Sequence, residues 1–165
     1  MRPPGYRRPR AGEESVWDYP RPPRSEPLTE VVRVEYAGLV IAHSQSAVRV
    51  LETASPPTIY IPAADVLMSH LQPSPRFTFC EWKGRARYWH VQVGDRCVEN
   101  AAWSYPDPNP PFAFLRDHVS FYPGKMDTCT LGEHRVRPQA GDFYGGWITP
   151  GIIGPYKGEP GTGGW

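Results

Sequence analysis

From Leu28 onward, apolar and polar residues alternate in short runs with a period of two. Val32, Val34 and Tyr36 alternate with Arg33 and Glu35, the pattern of a half-buried strand. Ala37-Gly38 predicts a turn into a second strand over 39–43, and residues 44–47 turn again into a third over 48–52. A short strand over 58–61 follows Ser55-Pro56-Pro57. Pro62 then opens one short helix running to about His70, since a proline in the first turn sacrifices no hydrogen bond. The clearest hairpin runs over 76–93. A two-residue Lys83-Gly84 turn would pair Trp82 with Arg85 and Cys80 with Arg87, and a longer loop would flip that register. Gly94-Asp95 turns into a strand over 97–103, the Pro-rich run 105–108 breaks the sheet, and the last strands are expected over 118–122 and 125–130.

Strands spaced about ten residues apart without long intervening helices predict a mainly β fold, an antiparallel sandwich or a barrel-like arrangement. The flanks lack any such period. Residues 1–27 form a Pro/Arg-rich arm, 28–137 the β domain, and 138–165 a Gly- and aromatic-rich tail. With 21 Pro and 16 Gly in 165 residues, long helices are excluded and much of the backbone must be turns and extended segments. Aromatics at 13% argue against a disordered chain. Trp17 and Tyr19 in the arm predict that this piece docks on the domain or on a partner chain.

Charge narrows the partners. A net charge of +1 exerts no general pull toward nucleic acid or membrane, so nucleic acid is not expected as a partner, and the arginines of the first arm read as a solvated basic tail. No run approaches the roughly 20 apolar residues that span a bilayer. Arg2 to Arg10 precedes no apolar segment of the kind found in a secretory leader, so the expected compartment is the cytoplasm. Cys80, Cys97 and Cys129 form no C-x-x-C pair, which argues against a disulfide framework and a Cys-rich zinc site; neither metal nor cofactor is expected.

Three constellations could carry chemistry. Cys80-Glu81-Trp82-Lys83-Gly84, with Arg85 and Arg87, surrounds a thiol with cations and favours its thiolate; the same Cys80 also suits a small apolar residue packed in a strand. Trp103-Ser104-Tyr105-Pro106-Asp107-Pro108 could wall a pocket for a planar ligand, or simply cap the core as a turn. The glycines of the tail, with Lys157, suggest a phosphate loop, but no strand precedes them and no helix follows, so a wrapping or swapped tail fits better.

The runs Tyr60-Ile61-Pro62-Ala63-Ala64-Asp65-Val66, Cys80-Glu81-Trp82-Lys83-Gly84, Ala101-Ala102-Trp103-Ser104-Tyr105-Pro106-Asp107-Pro108 and Val119-Ser120-Phe121-Tyr122-Pro123 resemble, in order, the bacterial family called domain of unknown function 427. The resemblance spans roughly 31–137, and the two arms resemble its longer actinobacterial form. It implies a compact complex-β domain of the β-tent kind, related to zinc-hinged β domains whose C-x-x-C knuckles this chain lacks. The family sometimes carries a nucleotidyltransferase label. Neither the Gly-Ser loop nor the metal-binding D-x-D pair of that chemistry occurs here, so whether the chain is an enzyme stays open.

The reading that follows is a small-molecule-binding domain. Its aromatic and basic pocket would lie between the 80–84 hairpin and the 103–108 loop, built from Glu52, Tyr60, Trp82, Lys83, Arg85, Tyr88, Trp103, Tyr105 and Asp107. The alternatives are a cysteine-dependent enzyme using Cys80 as nucleophile and a structural homo-oligomer, such as a homodimer, assembled through its arms.

Overall fold

The computed structural model describes residues 2–141, 143–162 and 165. Its regular structure is mainly β. In chain order the strands are β1 (Glu14–Ser15), β2 (Arg24–Pro27), β3 (Val32–Tyr36), β4 (Leu39–Ser44), β5 (Val48–Leu51), β6 (Thr58–Pro62), β7 (Leu71–Cys80), β8 (Gly84–Val93), β9 (Arg96–Ser104), β10 (His118–Phe121), β11 (Thr128–Leu131), β12 (His134–Arg135), β13 (Arg137–Pro138), β14 (Trp147–Ile148) and β15 (Ile152–Ile153). The segment after Pro62, expected as one helix, forms two 3-10 turns, Ala63–Asp65 and Met68–His70, split by the extended Val66. Leu67 N–H donates to Ile41 O at 2.8 Å, and this tie to the neighbouring strand competes with helical bonding. No helix among the described residues is long and apolar enough to cross a membrane.

Seven strands form one antiparallel sheet in the order β2-β5-β6-β10-β9-β8-β7, and four form a second, β12-β11-β3-β4. Both sheets are open, so the arrangement is a packed pair and not a barrel. Pro73 and Pro75, expected to precede the hairpin, lie within β7 at the edge of the large sheet, where a missing N–H costs no ladder bond. The pairing of β7 with β8 shifts between Pro73 and Phe77.

Period-two alternation assigns each strand two jobs. Ile59 and Ile61 of β6, with Val119 and Phe121 of β10, point into the core shared with Val32, Val34 and Ile41 of the small sheet. Tyr60, one residue out of phase, points to the opposite face and joins Tyr88, Trp103, Tyr105 and Tyr122 in a second cluster. The aromatic face of the large sheet is therefore the back of the main core.

Both arms pack on the domain. Val16 and Tyr19 are buried with Leu51, Ile148 and Tyr156, and β1 pairs in parallel with β15, so the two arms meet. Arg49 of β5 clamps Glu14 through two bonds of 2.9 Å and also binds Glu26. Trp17 Nε1 donates to Pro155 O at 2.7 Å, and the Trp17 and Trp165 rings meet edge to face at 5.0 Å. Trp147, 1% exposed, inserts into the main core and donates from Nε1 to Phe121 O at 2.9 Å. The described part of the tail thus packs as part of the folded body. Of the glycine-rich motifs in that tail, Asp142, Gly163 and Gly164 lie outside the described residues.

Candidate functional site

The site begins with the turn between β7 and β8. Cys80 pairs with Gly84, leaving Glu81-Trp82-Lys83 as a three-residue loop, with Gly84 at a φ of +105° that favours glycine. This corrects the expected two-residue turn. Phe79 faces Arg85 and Phe77 faces Arg87, whereas Trp82 was expected opposite Arg85 and Cys80 opposite Arg87. The cause is tertiary. Asn109 N–H donates to Lys83 O at 2.9 Å, and its side-chain amide donates to Trp82 O at 3.1 Å, holding the longer turn against the 103–108 loop. The pairing is displaced by three residues, and an odd displacement exchanges faces. Thr78 and Cys80 now share a face with Ala86 and Tyr88, while Phe77, Phe79, Arg85 and Arg87 share the other.

On the first face the aromatic cluster surrounds a cavity of about 280 Å³. It unites Glu52, Tyr60, Cys80, Trp82, Lys83, Tyr88, Trp103 and Tyr105, eight of the residues singled out from sequence. Arg85 and Asp107 are not among them. They line a separate groove of about 550 Å³ on the other side of the hairpin, with Phe77, Arg87 and Pro106. The expected bracket is corrected accordingly: the 103–108 loop contributes only its first residues to the cavity, and its Asp107 faces away.

The opposite wall comes from residues that the sequence reading did not assign to the pocket. Gln139, Phe143, Tyr144, Gly145 and Lys157 of the tail close one side, and Ser55, Pro56 and Thr58 another. Tyr122 OH donates to Phe143 O at 3.0 Å, Lys157 N–H to Ala54 O at 2.7 Å, and Gln139 Nε2 to Lys157 O at 2.5 Å, which ties the tail across the mouth. The adjacent Phe-Tyr-Gly-Gly-Trp run was the available signal, since clustered aromatics in a glycine-rich tail need an apolar surface to cover.

Lys83 is the electrostatic centre. Its side chain is only 8% exposed, yet among the described residues its ammonium makes no hydrogen bond to an oxygen: Glu52 Oε1 and Cys80 Sγ both lie at 3.8 Å. The Phe112 ring centroid lies 6.0 Å from Nζ. Burial pulls the Lys83 pKa down, but Tyr60, Cys80 and Glu52 together outweigh it and leave it above the ordinary lysine value. The group is therefore a cation at neutral pH. Burial first, then the neighbouring Tyr60 and Cys80, pushes the Tyr105 phenol far up, and burial does the same to Tyr122, so both stay neutral and offer hydrogen bonds without charge. Trp103 and Tyr60 meet edge to face at 6.3 Å, and Trp103 and Tyr122 tilt together at 4.7 Å. These contacts fix the rings as rigid walls.

Chemically, the cavity offers π-faces, neutral hydroxyls, one buried cation, a half-buried thiol and a carboxylate, Glu52, at its side. Among the described residues no group of three or more His, Cys, Asp and Glu is placed to hold a metal ion.

Residues 24–132 match the model of a family described as Domain of unknown function (DUF427) and labelled NTP_transf_9. No curated protein matches the chain.

Proposed function

The chain belongs to this family of unknown function, and from the cavity's chemistry we propose that it is a small-molecule-binding domain for a planar compound carrying an anionic group. The observation that carries this reading is the Lys83 ammonium, buried against an aromatic cavity with its nearest acceptors at 3.8 Å. A carboxylate or phosphate oxygen entering the cavity would reach the shorter charge-assisted distance of about 2.8 Å. The planar part would stack between the Trp82, Trp103 and tyrosine walls, where most of the binding energy of such sites resides. Three free thiols support a reducing compartment such as the cytoplasm.

The test combines native mass spectrometry with thermal shift. The protein purified without added ligand is weighed intact, and its melting is followed with aromatic monocarboxylates and their neutral amides. A co-purifying anionic mass, or stabilisation by carboxylates but not amides that disappears in Lys83→Met, supports the reading. No bound mass and no shift with any acid sinks it.

A second reading has its own observation, the 3.8 Å approach of Lys83 Nζ to Cys80 Sγ in the cavity wall. In that reading Cys80 is a nucleophile whose thiolate the ammonium stabilises. It requires Cys80 to react with iodoacetamide at neutral pH faster than the exposed Cys97. Inertness until denaturation removes it. Assembly through exchanged arms is the third reading; it requires a dimer that dissociates when 1–27 or 138–165 is deleted.

A further inference from the structure

On the outer face of the β7–β8 hairpin two phenylalanines are unusually bare: Phe79, which also lines the cavity, is 74% and Phe77 50% exposed. Cross-strand pairing sets them beside arginines, Phe79 with Arg85 and Phe77 with Arg87. The Arg85 guanidinium lies 4.2 Å over the Phe77 ring, and that of Arg87 lies 4.8 Å over Trp89. Neither arginine forms an ion pair among the described residues, although Asp107 lines the same groove. Past Pro106 the groove continues into a second recess of about 310 Å³ that holds Trp89 and Arg116.

We propose that this face binds single-stranded nucleic acid, with bases stacked on Phe77 and Phe79 and phosphates taken by Arg85 and Arg87. Exposed aromatic rings interleaved with arginine planes on a sheet are the chemistry that holds unpaired bases and their backbone without reading sequence. Charge complementarity selects the occupant. A second copy docked face to face about a two-fold axis would set Arg85 and Arg87 against their own counterparts. Addition of a strand along β7 is blocked where Pro73 and Pro75 remove backbone donors from that edge. The whole-chain charge of +1, which argues against nucleic acid, averages away this local excess of arginine. Phe79 also lines the cavity, whereas Phe77, Arg85 and Arg87 line only the outer groove, so variants of those three test this face separately from the cavity.

Fluorescence anisotropy with a labelled 12-nucleotide single strand tests it, at low salt and at about 0.15 M. Wild-type protein is expected to bind, with affinity falling as salt rises. Phe77→Ala is expected to weaken binding about tenfold, and Arg85→Gln/Arg87→Gln at least as much, with a flatter salt dependence. An abasic strand of equal length should bind about tenfold more weakly. Arg33→Gln on the small sheet, which removes one positive charge elsewhere, should bind like wild type. Because Phe77 and both arginines are exposed, an unchanged melting temperature separates lost binding from lost folding. The proposal is overturned if wild type fails to bind at 100 μM protein in low salt. It is equally overturned if the abasic strand or poly-glutamate binds as tightly, if the folded variants bind like wild type, or if Arg33→Gln loses as much as the double variant.

Discussion

Gly145 of the tail lies so close against the indole of Trp103 that a Cβ there would overlap the ring at its Cη2 and Cζ3 atoms. The ring cannot swing aside, because Tyr60 meets it edge to face and Tyr122 packs at 4.7 Å on its other neighbour contact. One missing side chain thus lets the tail close the cavity.

Gly145→Ala is accordingly expected to cost about 1–3 kcal/mol through overpacking and to lift the tail, breaking the bond from Tyr122 OH to Phe143 O. Urea unfolding followed by tryptophan fluorescence, with limited proteolysis of 138–165, reads both effects. An unchanged midpoint and an uncut tail would refute the packing argument.

Lys83 and Glu52 should respond asymmetrically. Glu52→Gln leaves a buried ammonium without its nearest anion and is expected to destabilise by about 1 kcal/mol, modest because the contact is 3.8 Å and Glu52 is partly exposed. Lys83→Met removes the charge and fills similar volume, so stability should hold or rise while anion binding is lost. Equal destabilisation by both substitutions would show that Lys83 is a structural ion-pair partner.

Acid should undock the N-terminal arm. The hydrogen bonds from Arg49 hold the Glu14 carboxyl below its usual range, with burial opposing and Tyr19 OH assisting. A carboxyl depressed in the folded state stabilises it at pH above its unfolded value of about 4.3, and that contribution is lost as pH falls through the folded value. Wild type should therefore exceed Glu14→Gln in stability at pH 7, and the gap should shrink toward pH 3. Denaturant midpoints at the two pH values measure it, and a constant gap would contradict the assignment.

Cysteine labelling should follow burial. Cys129 is 2% exposed, and burial pushes its thiol up, so it is expected to resist iodoacetamide until the protein unfolds. Mass mapping after timed alkylation checks this; early modification of Cys129 would show that the main core opens under native conditions.

Much of the β domain was readable beforehand because alternation is a local property. The pattern of Val32, Val34 and Tyr36 matches β3, and the strands expected over 39–43, 48–52 and 58–61 match β4 to β6 within a residue or two. The helix after Pro62 did not form because Leu67 N–H bonds to Ile41 instead, a long-range partner that no local preference encodes. The hairpin pairs three residues away from the expected register because Asn109 stabilises a turn one residue longer and placed earlier. That odd displacement removed Arg85 from the cavity and placed it beside Phe77 on the outer face.

Sequence by itself determined the mainly β class, the place of most strands, and the residue types that make an aromatic, cationic pocket, since these follow from side-chain chemistry and period-two burial. Tertiary structure alone decided which face each hairpin residue occupies, that Asp107 turns away, and that residues of the tail complete the cavity. Those outcomes depend on contacts between segments far apart in the chain: Asn109 with Lys83, Tyr122 with Phe143, and Gly145 with Trp103. Their energies decide register and closure, and they arise only once the two sheets and both arms have packed.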